Sequence, residues 1–209
     1  MIRAVTYASC YVYSPTGAGA VSERSRTLRA LLKSRDAGFM RKYALRVRQQ
    51  ARDSPLLAGF FEAADVLVPV PGSAPCPAGR LCAAEHLSIE LINAGLGGAA
   101  WSGLRRVHPV RKSATAAPGD RPTVILHYES FVVERASMSP ERIVLIDDVV
   151  TKGRTLLAAA SRVQEAFPRA HIRAFALVRT LGLISGVQQL LDPCQGEIRW
   201  KSGDAHRRP

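Results

Sequence analysis

Two adjacent carboxylates, Asp147 and Asp148, close the apolar run in RIVLIDDVVTKGRTLL (residues 142–157), and after two valines come Thr151, Lys152, Gly153, Arg154 and Thr155. Paired acids gather metal ions and sugar hydroxyls, whereas a turn with glycine, hydroxyls and bases gathers anions. Set side by side, the acids would repel an anion held by the turn. One ligand satisfies both if it presents hydroxyl donors at one end and a phosphate at the other, and a ribose 5-phosphate is such an object.

RIVLID (142–147) reads as a fully buried strand and residues 155–166 as a helix ended by Pro168. The acids therefore fall at the carboxyl end of a strand, where open α/β sheets bind ligands. The turn leads into a helix whose first N–H groups lack partners and whose dipole is positive, an anion cradle. Gly153 lets the backbone come close, Thr151 and Thr155 add hydroxyls, and Lys152 and Arg154 add charge.

The remaining elements follow from periodicity. ADVLVPVPGSAPCPAGR (64–80) is a short β-rich run ending in prolines and glycines, followed by a helical pattern from about Arg80 to Asn93 that stops at Gly95. TVILHY (123–128), FVV (131–133) and HIRAFALVR (171–179) read as strands. Buried strands alternating with helices specify a parallel sheet with right-handed crossovers. The expected fold is α/β, doubly wound and mainly parallel, with helices on both faces.

Residues 24–52 hold ten Lys or Arg against one acid, Asp36, over an apolar stripe that includes Leu28, Leu32, Met40, Tyr43 and Val47. That pattern predicts two amphipathic helices broken near Gly38, with a basic outer face that is either simply solvated or touches nucleic acid. Residues 101–122, with Arg105, Arg106, Arg111 and Lys112, read as a long loop, and KSGDAHRRP as a loose basic tail. Three segments are expected: a basic helical hood over 1–60, a core over 61–181, and a C-terminal helix and tail over 182–209.

A chain of 209 residues with 47% hydrophobic content suits one domain with a sizeable core. Twenty-nine Lys and Arg against 17 Asp and Glu leave a formal charge of +12, which draws phosphates, nucleic acid or acidic lipid without choosing among them. Cys10, Cys76, Cys82 and Cys194 form no C-x-x-C pair and read as reduced thiols. No apolar run reaches the ~20 residues that span a bilayer. The Ala-Gly-Ala at 18–20 follows too diluted an apolar stretch for a secretory leader, so a cytoplasmic protein with no membrane contact is expected.

VLIDDVVTKGRT resembles the phosphoribosyl pyrophosphate signature of type I phosphoribosyltransferases: apolar strand, two acids, two apolar residues, and a turn with Gly and a closing Thr. DVLVPVPGSAP is similar to that family's strand and pyrophosphate loop, in the wording of its ComF-like branch, which is associated with DNA uptake. The resemblance covers residues 65–180. It implies that Asp147 and Asp148 hold the ribose hydroxyls and a Mg²⁺ ion as the catalytic and metal-binding pair. It implies equally that Thr151, Lys152, Gly153, Arg154 and Thr155 hold the 5-phosphate, and Pro71, Gly72, Ser73 and Ala74 the pyrophosphate. Arg105, Arg106, Arg111 or Lys112 would cover the pyrophosphate as a closing loop. The activity implied is transfer of the phosphoribosyl group to an unidentified nitrogenous acceptor with release of pyrophosphate, within nucleotide metabolism; a homodimer is compatible with it. Three departures stand out. Lys152 replaces a small Thr or Ala, the first loop has no base before Arg80, and Cys10 alone supplies no N-terminal zinc element.

Other readings remain at this level. Asp-Asp after an apolar strand also looks like a Walker B element, but no G-x-x-x-x-G-K-[ST] accompanies it. The plainest alternative is a structural acid pair with a helix capped by Thr151 or Thr155. The main rival is a non-catalytic sensor of phosphoribosyl pyrophosphate or a nucleotide that binds nucleic acid through the basic helices. His86, His108, His127 and His171 read as surface residues, Trp101 and Trp200 as packing ones, and Ser73 has no visible nucleophile partners.

Overall fold

A computed structural model describes residues 1–34, 36–76, 79–111, 121–134, 137–182 and 187–209. Nine strands and five helices make up the described residues: β1 Ala4–Tyr13, α1 Ala20–Ser34, α2 Ala37–Asp53, β2 Val66–Pro69, α3 Ala83–Asn93, β3 Ala99–Ala100, β4 Leu104–Arg106, α4 Val124–Glu129, β5 Phe131–Val133, β6 Arg142–Val150, α5 Arg154–Ala166, β7 His171–Thr180, β8 Leu191–Lys201 and β9 Asp204–Arg208.

The central sheet runs β3-β2-β6-β7-β1-β8-β9, and β4 and β5 form a separate two-stranded ribbon. All neighbours from β3 to β1 are parallel; β8 and β9 close the sheet as an antiparallel hairpin. Residues of β6 alternate between the two faces. Ile143 and Leu145 meet Leu156, Ala160 and Val163 of α5, while Val144 and Ile146 meet the layer of α1, α2 and α3, through Leu28, Met40, Val47, Leu87 and Leu91. The fold is thus doubly wound, as expected.

This topology decides where a ligand fits. The chain leaves β2 toward α3 on one face and leaves β6 toward α5 on the other, although β2 and β6 are paired neighbours. Their loops diverge, and the crevice between them is a switch point of the kind where open α/β sheets bind ligands. The acids and the turn that follows lie there.

Several expectations are corrected. TVILHY is not a strand: Thr123 caps α4, its hydroxyl accepting from Leu126 N at 3.2 Å, and helix occupies Val124–Glu129. The expected C-terminal helix and loose tail are the β8–β9 hairpin, turned by Ser202 and Gly203 with φ of 51° and 78°, the two positive values that a tight primed turn requires. The 1–60 segment is not only a hood, since its β1 lies inside the sheet between β7 and β8. The helix break falls at Asp36, which caps α2 by accepting from Phe39 N at 2.6 Å, and Gly38 is in the first turn. Cys76 and Cys82 are joined in a disulfide, and only Cys10 and Cys194 are buried free thiols. Among the described residues no helix is long and apolar enough to cross a membrane.

At the amino edge of the sheet a buried ion cluster ties the strands together. The fully buried Asp65 accepts from Arg173 Nη2 at 2.7 and 2.9 Å, from Arg142 Nε at 2.9 Å and from Glu62 N at 2.7 Å. Removing one member of a buried pair strands the other. Asp65→Ala is therefore expected to lower the unfolding free energy by about 3–5 kcal/mol, read by urea denaturation.

Candidate functional site

β6 delivers both acids to the carboxyl edge on neighbouring positions, so their side chains start from opposite faces of the sheet. Asp148 is held on the α1 side by an ion pair with Lys33 Nζ, its own side chain 10% exposed. Asp147 accepts from the Asp148 amide at 2.8 Å. Burial, and then the charge of the Asp148 carboxylate, push Asp147 well above the usual carboxylate range, while Lys33 pulls it down. The pair is thus short of positive charge, and its hard oxygen donors suit Mg²⁺.

After β6 the chain turns at Gly153, which caps α5 with φ of 87° and no side-chain capping bond. Glycine is required twice over: the left-handed backbone disfavours a side chain, and a Cβ would lie 2.7 Å from Ile198 of β8. Neither Thr151 nor Thr155 caps the helix, which removes the capping role considered for them. Their hydroxyls bond elsewhere: Thr151 Oγ1 with Thr180 Oγ1 at 3.3 Å, and Thr155 Oγ1 with His127 Nε2 at 3.5 Å.

The two bases of the turn are committed to the C-terminal hairpin. Arg154 donates through Nε and Nη2 to the two carboxylate oxygens of Asp204 at 2.5 and 2.6 Å, and through Nη1 to the Pro122 carbonyl at 3.1 Å. Lys152 Nζ lies 3.6 Å from the same acid. An anion at this turn therefore meets backbone N–H groups and two bases that share a single carboxylate.

Across the crevice, Pro71, Gly72, Ser73 and Ala74 follow β2, and Ser73 accepts from Val110 N at 2.8 Å through its carbonyl. Arg106 is not a lid over this loop. It is 5% exposed, and it donates to the Gly72 carbonyl, to the Ser130 hydroxyl, to the Pro71 carbonyl at 3.4 Å and to His127 Nδ1 at 3.3 Å. Burial lowers its pKa to about 10 while Asp147 works the other way, so it stays a cation at neutral pH. Arg105 is exposed and paired with Glu134 at 3.0 Å, Arg111 is exposed, and Lys112 lies outside the described residues. A cleft of about 360 Å³ runs past Pro71, Arg80, Glu85, Ser102, Arg105 and Arg106.

His127, expected at the surface, is 4% exposed and sits between the two loops. Burial, then Arg106 and Arg154, lower its pKa to about 4, so the ring is neutral at physiological pH. Arginine only donates, so Nδ1 accepts and Nε2 carries the proton that points to Thr155 Oγ1. A continuous chain of Thr155, His127, Arg106 and the Pro71 and Gly72 carbonyls thereby braces the β6 turn against the β2 loop. No sequence motif marks His127; its partners arrive from separate elements. His86 is half-buried, and His108 and His171 are exposed. Trp101 packs edge-on against Phe167 with centroids 5.3 Å apart, and Trp200 packs on the core, as expected.

No family model and no curated protein matches this chain. Among solved structures it is similar to a hypoxanthine phosphoribosyltransferase from Staphylococcus aureus, 11% identical, with a TM-score of 0.38 over 72% of this chain and 70% of that one. It is also similar to adenine phosphoribosyltransferases from Leishmania tarentolae, 17% identical with a TM-score of 0.28 over 82% and 83%, and from Leishmania donovani, 18% identical with a TM-score of 0.27 over 88% and 84%. Identities and scores this low leave the functional reading to the site's own geometry.

Hydrogen bonds from Arg154 hold the Asp204 carboxyl down at about 2, against partial burial. A depressed carboxyl stabilises the fold above its unfolded pKa near 4 and loses that contribution as pH falls toward 2. Asp204→Asn is expected to cost about 1–2 kcal/mol at neutral pH, with the gap from wild type narrowing below pH ~4 in urea titrations.

Proposed function

We propose that the protein binds phosphoribosyl pyrophosphate with Mg²⁺ and transfers the phosphoribosyl group to a nitrogenous acceptor, releasing pyrophosphate. One observation carries the reading: an acid pair, Asp148 buried and Asp147 half-buried, and a glycine turn opening a helix lie on one side of a switch-point crevice, and the Pro71–Ala74 loop lies on the other. Acceptors for a diol and donors for a terminal phosphate are adjacent, as a ribose 5-phosphate requires.

In this reading Asp147 and Asp148 orient the ribose diol and hold the cation, which supplies charge neutralisation at the leaving diphosphate. The N–H groups of Gly153, Arg154 and Thr155, with the Thr151 and Thr155 hydroxyls, take the 5-phosphate. The backbone of Pro71–Ala74 takes the pyrophosphate, its geometry set from beneath by Arg106. Bond formation from the acceptor nitrogen to the anomeric carbon breaks the carbon–oxygen bond to pyrophosphate, whose oxygen leaves with the electron pair. Positioning and charge stabilisation outweigh acid–base chemistry in such a step. Neutral His127 serves as a brace in this scheme and transfers no proton.

A second reading keeps the same donor site without turnover. Arg24, Arg41, Lys42, Arg46, Arg48 and Arg52 are exposed on α1 and α2, a face suited to nucleic acid and to a sensor role.

Calorimetry tests the donor site that both readings share, and turnover separates them. Phosphoribosyl pyrophosphate is expected to bind in a Mg²⁺-dependent manner, with Asp147→Asn and Asp148→Asn each weakening it about ten- to hundredfold, as lost charge-assisted hydrogen bonds do. Unchanged affinity in both variants would remove the assignment. Pyrophosphate release on adding purine or pyrimidine bases supports the transferase; salt-sensitive DNA binding modulated by the donor, without release, supports the sensor.

A further inference from the structure

We propose that Lys33 is a built-in counter-ion of the Asp147–Asp148 pair that competes with a divalent cation for it, so that loading the site requires the Lys33 side chain to swing away from Asp148. The inference deepens the reading above and rests on it in one respect, that a divalent cation belongs at this pair.

Lys33 lies 115 positions before Asp148 in the chain and comes from α1, in the layer that Asp148 faces. Its neighbours on α1 point elsewhere: Arg26 donates to the Gly17 carbonyl at 2.7 Å, and Arg29 stacks over the Tyr13 ring at 5.2 Å. The contact is unequal. Asp148 is 10% exposed at its side chain and fixed by the strand, whereas the Lys33 side chain is 56% exposed and reaches in from solvent. A lysine is a point charge on a flexible stem, so it can leave by rotating its own torsions without moving the helix.

The electrostatics make this exchange more than a surface contact. Two carboxylates on adjacent strand positions repel each other, and the Lys33 ammonium charge offsets that repulsion by pairing with Asp148. A divalent cation places twice that charge in the same space. Two cations a few ångströms apart repel, so the lysine and the metal exclude each other. Arg106, the other cation near Asp147, is locked beneath the β2 loop and has no such freedom.

The test uses the whole chain and Mn²⁺ as the probe, with affinity read by calorimetry. Lys33→Met is expected to bind Mn²⁺ about tenfold more tightly than wild type, the effect of one nearby charge discounted for solvent. Lys33→Arg is expected to stay near wild type, as is Arg29→Met, a control on the same helix. Asp148→Asn should lose the binding. Equal or weaker binding by Lys33→Met, with Asp148→Asn still losing it, overturns the role of Lys33 and leaves the acid-pair reading standing. Binding indifferent to Asp148→Asn, or absent from every variant and wild type, overturns both. Far-UV circular dichroism of Lys33→Met separates a local charge effect from misfolding.

Discussion

The geometry of the crevice depends on one buried cation. Arg106 enters beneath the loop after β2, lies over the Phe131 ring with its guanidinium carbon 4.2 Å from the centroid, and spends its donors on two loop carbonyls, a serine hydroxyl and a histidine ring. A charge taken out of water is tolerated only when every donor is met. The requirement works in reverse as well: the loop, Ser130 and His127 must stay where they are for Arg106 to remain satisfied. Two segments on opposite sides of the crevice are thereby referenced to one rigid point. The same interaction fixes the tautomer of His127 and, through it, the direction of the Thr155 hydroxyl.

The acid pair, the glycine turn and the β2 loop were legible because each is a local feature: apolar run, charge, glycine and helix follow within a few positions. What escaped was decided at a distance. His127 looks like an isolated histidine until Arg106 and Thr155, 21 and 28 positions away, converge on it. Arg106 was readable as a base near the β2 loop, but whether it covers the loop or underpins it depends on the β4–β5 ribbon. TVILHY was ambiguous in kind, an apolar run too short for periodicity to separate helix from strand, and the Thr123 cap settled it. Residues 4–13 were weighed only as a diluted leader stretch, and pairing with strands at the far end of the chain makes them central.

The hairpin of β8 and β9 changes the charge balance expected at the turn. Arg154 was read as a free cation for a phosphate, yet its guanidinium is a fork on Asp204, a geometry that arginine forms best with a carboxylate. The attraction of the turn for an anion then rests mostly on the helix start, whose N–H groups are fixed by Gly153. Basic residues in a sequence mark positive potential only after their partners are known, and the formal charge of +12 overstates what this site offers.

β1 occupies the middle of the sheet, hydrogen-bonded to β7 on one side and β8 on the other. During synthesis β1 therefore waits, unpaired along both edges, until residues beyond His171 and then Leu191 have been made. Such distant pairing makes folding slow and exposes strand edges to neighbouring chains in the interval. The helices that follow β1 are strongly cationic, and like charges repel neighbouring chains during that wait.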